Sequence, residues 1–92
     1  MFINKTSNGN NNICGTIIAK KRKQLGLSQR ELADNLQLLG MDIDKNAIQR
    51  IEAGKRFVTD IEIVYLSKGL GLSFNEILKT EELRFIVTHI LQ

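Results

Sequence analysis

The chain has 92 residues, of which 42% are hydrophobic and 25% charged, and its formal net charge is +3. This length allows one domain around one core, and the composition is that of an ordinary globular protein. No apolar run approaches the roughly 18 residues that a membrane span needs. Residues 1–12 lack a secretory signal and Cys14 has no disulfide partner, so we expect a cytoplasmic protein.

The chain opens with a polar segment and continues with helices. Residues 1–12 are rich in asparagine and predict a flexible arm. Capping boxes mark three later helix starts, at Ser28–Glu31, Thr59–Glu62 and Ser73–Glu76. Glycines stand where helices should end, at positions 26, 40, 54 and 71. The predicted helices 1 to 5 therefore cover about residues 13–25, 29–39, 45–53, 60–70 and 74–79.

The last segment, residues 80–92, predicts a sixth helix with more apolar surface than a free tail should have. Its apolar residues are Leu83, Phe85, Ile86, Val87, Ile90 and Leu91. It dimerises, folds back over helices 1 and 5 as extra core, or leads into a longer natural protein that continues beyond Gln92, and we expect dimerisation. No segment shows the alternating pattern of a half-buried strand. The sequence thus predicts an all-α, compact domain of five helices with a sixth at the C-terminus.

Helices 2 and 3 have the layout of a helix-turn-helix, with Asp44 as the N-cap of helix 3. The face of helix 3 opposite Ile48 and Ile51 presents amides and cations, which are the groups that pair with base edges in the major groove. These residues are Lys45, Asn46, Gln49 and Arg50. The segment 1–56 also has five more basic than acidic residues, whereas residues 57–92 have two more acidic than basic. This asymmetry indicates a polyanion-binding face, although a solvated helix face has a similar composition.

The runs Lys21–Ala33 and Ala47–Arg56 resemble the phage repressor/Cro-like, or Xre-type, helix-turn-helix family, and the resemblance covers residues 13–79. It implies a DNA-binding domain over those residues, in a transcriptional regulator of bacteria or phages. Such a regulator, most commonly a repressor, binds a double-stranded DNA operator as a homodimer. The chain departs from the family's commonest form by several extra residues at 37–43, so helix 2 is longer or the turn is wider.

The resemblance also implies roles for individual residues. At the start of helix 2, Ser28 and Gln29 would contact a phosphate of the DNA backbone. After helix 3, two cations would make further phosphate contacts, namely Lys55 and Arg56. A last pair, Arg22 and Glu52, would form a structural ion pair between helix 1 and the end of helix 3.

Other functions have little support in the sequence. The single histidine, His89, lies in the apolar C-terminal segment, and there is no zinc spacing or phosphate-binding glycine loop. We therefore expect no enzyme activity, no cofactor or metal, and no small-molecule ligand. The alternative is a protein-interaction module that keeps the helix-turn-helix fold without binding DNA, with Phe57 and Val58 as the nearest anchors.

Overall fold

The computed structural model describes residues 4–79 and 81–90, without the side chains at positions 81–83 and 85. Within these residues there are six helices and no strand, which confirms the all-α fold class. The helices are α1 (Gly15–Gln24), α2 (Gln29–Leu38), α3 (Lys45–Glu52), α4 (Asp60–Leu70), α5 (Phe74–Leu78) and α6 (Glu81–Ile90). None of them has the length and apolar character that crossing a membrane requires.

Local capping chemistry starts most of these helices where the sequence predicts. All three capping boxes form, at the starts of α2, α4 and α5. At α3, the Asp44 carboxylate accepts a hydrogen bond from the backbone N–H of Ala47 at 2.8 Å. Each of these bonds satisfies an amide that the first helical turn leaves without a partner.

The start of α1 differs from the prediction. This helix begins at Gly15 rather than Ile13, because Asn12 Oδ1 accepts a hydrogen bond from the Gly15 N–H at 2.9 Å. Cys14, in the N-cap position, makes no side-chain capping bond. Its thiol is buried in the core instead, and burial raises the pKa of Cys14 from 9.0 to about 11.

The extra residues that the sequence places at 37–43 lie in the last turn of α2 and in the connection between α2 and α3. Helix α2 ends at Leu38 and α3 begins at Lys45, so residues 39–44 form the connection, which we call the wide turn. Met41 and Ile43 in this turn are buried, and Gln37 Nε2 donates to the backbone oxygen of Ile43 at 2.6 Å. The wide turn is therefore fixed to the core rather than looped out into solvent.

The core lies between the first four helices, and α5 adds one residue to it. Helix α2 packs on α3 and α4, and α1 packs on the same two helices. The fully buried large side chains are Ile18, Leu32, Leu36, Ile48, Ile51, Leu66, Leu70 and Ile77. Helix α3 is thereby held from behind by apolar contacts, which leaves its opposite face exposed to solvent.

Helix α1 approaches the end of α3 more closely than a side chain would allow. A Cβ atom built on Gly15 would lie 2.2 Å from the backbone oxygen of Ile51 and 3.2 Å from that of Glu52. Because these neighbours are backbone atoms, they cannot move aside as a flexible side chain does. Glycine at position 15 is therefore required by the packing of α1 on α3.

We expect Gly15→Ala to lower the free energy of unfolding by about 1–3 kcal/mol, although alanine is normally the better helix former. The added methyl group would force the start of α1 away from the end of α3. Thr16→Ala is the matched control, since Thr16 is exposed in the same turn and should change stability by less than about 0.5 kcal/mol. Denaturant unfolding measures both, and a Gly15→Ala protein as stable as the wild type would contradict the packing argument.

Candidate nucleic-acid interface

The exposed face of α3 presents the four side chains that the sequence singles out for base contacts. Lys45, Asn46, Gln49 and Arg50 are all exposed, whereas Ile48 and Ile51 on the other side are fully buried. None of the four side chains forms a hydrogen bond or ion pair with another residue that the structure describes. Their donors and acceptors are therefore available to a ligand.

An ion pair fixes the end of α3 against α1. Arg22 Nε lies 2.7 Å from Glu52 Oε2, and Arg22 Nη2 donates to Glu52 Oε1 at 3.0 Å. Arg22 Nη1 donates to the backbone oxygen of Leu27 at 2.8 Å. Only about a tenth of either side chain is exposed, and the hydrogen bonds to Glu52 raise the pKa of Arg22. The pair is thus nearly buried and bidentate, the geometry in which arginine binds carboxylate best.

The start of α2 also contacts the Glu52 carboxylate. Gln29 Nε2 donates to Glu52 Oε1 at 3.0 Å, so one N–H of the Gln29 amide is used inside the protein. The second N–H and the amide oxygen are left for a phosphate or for solvent. The carboxylate of Glu52 therefore links α1, α2 and α3 at one point.

The capping box of α2 places a carboxylate at the same helix end. Ser28 Oγ accepts from the Glu31 N–H at 3.0 Å, and Glu31 Oε1 accepts from the Ser28 N–H at 2.9 Å. The bond from the Ser28 backbone lowers the pKa of Glu31. The Ser28 hydroxyl still has its hydrogen to donate, so it can contact a phosphate while it caps the helix.

The two cations after α3 have different surroundings. Lys55 is exposed, and its side chain has no bond to another described residue. Arg56, by contrast, donates to both carboxylate oxygens of Glu62, at 2.8 and 3.1 Å, and to the backbone oxygen of Phe57. The bonds from Arg56 lower the pKa of Glu62 and raise that of Arg56. A phosphate at Arg56 must therefore compete with Glu62, whereas Lys55 is available.

Sequence reasoning missed a set of contacts between the N-terminal segment and the loop after α3. Although residues 1–12 read as a flexible arm, Asn11 and Asn12 bond to backbone carbonyls between positions 51 and 56. A run of asparagines has no pattern that indicates a partner some 40 positions away, so composition alone predicted mobility. The only local signal was Asn12 itself, because asparagine is a favoured helix cap.

The C-terminal helix leaves apolar side chains in contact with solvent. Ile86, Val87 and Ile90 of α6 are all exposed, and Ile90 has 75% of its surface accessible. Ile86 also lines an open cavity of about 780 Å³ together with Phe74 and Leu78 of α5. The predicted apolar residues Leu83, Phe85 and Leu91 lie outside the side chains that the structure describes.

Side chains that could bind a metal ion are not clustered in the described part of the chain. His89 is exposed on α6, and Cys14 is buried at the start of α1. Among the side chains that the structure describes, no three from His, Cys, Asp or Glu are close enough to hold a metal ion.

Among known proteins, a family model described as helix-turn-helix matches residues 18–77, which is well over half of the chain. The match begins in α1 and ends in α5, so it includes the wide turn and all of α3. Neither a curated protein nor a solved structure matches the chain.

We expect Arg22→Met to lower the free energy of unfolding by about 3–5 kcal/mol, because the substitution removes one partner of a nearly buried ion pair. The Glu52 carboxylate would keep only its bond from Gln29, and the Leu27 carbonyl would lose its donor. The double variant Arg22→Met with Glu52→Leu should be more stable than Arg22→Met alone. Lys23→Met, at an exposed neighbouring position, is the control for loss of a positive charge. Equal denaturant midpoints for Arg22→Met and Lys23→Met would show that the pair does not support the fold.

Proposed function

Since the chain belongs to the Cro/C1-type, Xre-like helix-turn-helix family of DNA-binding regulators, we propose that it binds a specific double-stranded DNA operator through α3 and acts as a transcriptional repressor. The supporting observation is the exposed row of amide and cationic side chains on α3, none of which bonds to another described residue. The major groove of B-DNA admits one α-helix, and these side chains match the donors and acceptors on its base edges.

In the proposed complex, α3 contacts bases and its neighbours contact the DNA backbone. Lys45 and Asn46 stand in the first turn of α3 and Arg50 one turn further on, with Gln49 beside it. Backbone phosphates are bound at two places, by Ser28 and Gln29 at the start of α2 and by Lys55 after α3. Arg56 joins them only by giving up its bonds to Glu62. Phosphate contacts of this kind set the register of the protein on DNA without distinguishing sequences.

We further propose that the regulator is a homodimer formed through residues 80–92. The exposed apolar side chains of α6 support this assignment, because such side chains on adjacent helical turns favour burial against another surface. A two-fold symmetric dimer would bind two half-sites separated by about one turn of DNA, or roughly 34 Å.

The decisive experiment is selection of bound sequences from a pool of random duplexes, followed by titration of the enriched sequence over a series of salt concentrations. The proposal expects a two-fold symmetric motif and an affinity that falls steeply with salt, since each neutralised phosphate releases counterions. An enriched motif without two-fold symmetry would contradict the homodimer alone. Absence of both enrichment and salt-dependent binding would contradict DNA binding and favour the protein-interaction module.

Replacing a base-contacting side chain should affect specific binding most. We expect Arg50→Ala to weaken binding to the selected operator by about 1–3 kcal/mol, with little change on random duplexes, because a guanidinium contact to guanine is lost. Lys55→Ala should weaken binding to the operator and to random duplexes by the same factor. It should also reduce the magnitude of the slope of log K against log salt by about 0.9. Lys68→Ala, in the last turn of α4, is the control and should change neither. Equal losses on operator and random DNA would exclude base contact by Arg50.

A further inference from the structure

Asn11 and Asn12 donate hydrogen bonds to four backbone carbonyls between Ile51 and Arg56, at the end of α3 and in the loop after it. Asn12 Nδ2 donates to the backbone oxygens of Ile51 at 3.0 Å and Arg56 at 2.8 Å. The Asn11 N–H donates to the oxygen of Gly54 at 2.7 Å, and Asn11 Nδ2 donates to that of Lys55 at 3.0 Å. We call these two residues the asparagine clamp.

Other contacts hold the clamp in place, so it can fix the conformation of the loop after α3. Asn12 Oδ1 accepts from the Gly15 N–H, which fixes Asn12 to the first turn of α1. Asn10 packs directly against Gly54, where an added Cβ would lie 2.7 Å from Asn10 Cγ. Gly54 has a φ of +75°, a left-handed conformation that ends α3, so the carbonyls after it need hydrogen-bond donors from outside the helix. The clamp supplies donors to those carbonyls.

The residue most affected is Lys55. Its N–H donates to the oxygen of Arg50 at 2.9 Å and its carbonyl accepts from Asn11 Nδ2, so the peptide groups on both sides of Lys55 are fixed. Its side chain is exposed and makes no bond to another described residue. A flexible cation on a fixed backbone loses less conformational entropy on binding than one on a mobile loop.

We propose that Asn11 and Asn12 are positioning residues for DNA binding, which hold residues 53–56 in the conformation that presents Lys55 to a backbone phosphate. This inference rests on the proposed function and adds to it a role for the N-terminal segment. The clamp acts through Lys55 and does not itself contact DNA. Its removal should therefore weaken binding to operator and to random duplexes by the same factor.

A double-mutant cycle between Asn12→Ala and Lys55→Ala tests this coupling. In the wild-type background, Lys55→Ala should weaken binding about three- to tenfold and lower the salt slope by about 0.9. In the Asn12→Ala background, the same change should cost less than about twofold, because Lys55 is already out of place. Additive effects of the two changes would overturn the proposal. The matched control is Asn8→Ala, an exposed asparagine of the same segment, which should leave the effect of Lys55→Ala unchanged.

All variants are compared at a temperature where circular dichroism shows them fully folded, so that a loss of stability does not register as a loss of affinity. If Asn12→Ala does not fold, Asn11→Ala replaces it. That variant keeps the bond between Asn12 and Gly15. It removes the two side-chain bonds of Asn11, one donated to the carbonyl of Lys55 and one accepted from Lys5 Nζ.

Amide hydrogen exchange in the free protein tests the clamp without DNA. We expect the N–H groups of Gly54 and Lys55 to exchange at least about tenfold faster in Asn12→Ala than in the wild type, and at wild-type rates in Asn8→Ala. Unchanged exchange in Asn12→Ala would overturn the clamp even if the protein binds DNA. If the wild type binds no duplex, the proposed function and the clamp's role in it both fail, while the exchange rates still show whether the loop is held.

Discussion

The Glu52 carboxylate is the point on which the arrangement of the first three helices depends. It accepts three hydrogen bonds, two from the guanidinium of Arg22 on α1 and one from the amide of Gln29 on α2. A nearly buried carboxylate without such donors would be costly to desolvate, so the charge and its donors must come together when the domain folds. This requirement selects one relative orientation of α1, α2 and the last turn of α3.

The packing around this point leaves α3 little freedom. Gly15 allows the start of α1 to rest against the Ile51 and Glu52 carbonyls, and Ile48 and Ile51 are buried beneath the helix. At the other end, the wide turn is fixed by Met41 and Ile43. A helix that enters the major groove must offer its side chains at fixed positions, because base contacts tolerate only small errors in geometry. The apolar packing beneath α3 fits this requirement for fixed side-chain positions.

The features of the fold and of the candidate site that could be predicted are those whose determining residues lie close together in the sequence. The starts of α2, α4 and α5 followed from hydroxyl and glutamate residues three positions apart, and the span of α4 was predicted at both ends. The start of α1 was missed, because the side chain that accepts a hydrogen bond from its first N–H belongs to one asparagine in a run of several. The ion pair of Arg56 with Glu62 was also missed, since a contact across a loop and a helix start has no characteristic spacing. The pairing of Arg22 with Glu52 could be predicted only from the resemblance to a family. The asparagine clamp could be predicted neither from local sequence patterns nor from that resemblance.

The burial of Cys14 has a consequence for the chemistry of the whole domain. Only the thiolate reacts readily with oxidants and alkylating reagents, and with a pKa of about 11 this thiol is almost entirely protonated at neutral pH. The side chain is also sealed in the core, with 1% of its surface accessible. The native molecule is therefore inert toward such reagents, and the thiol becomes reactive only when the start of α1 opens. Modification of this cysteine therefore reports the opening of the core around α1.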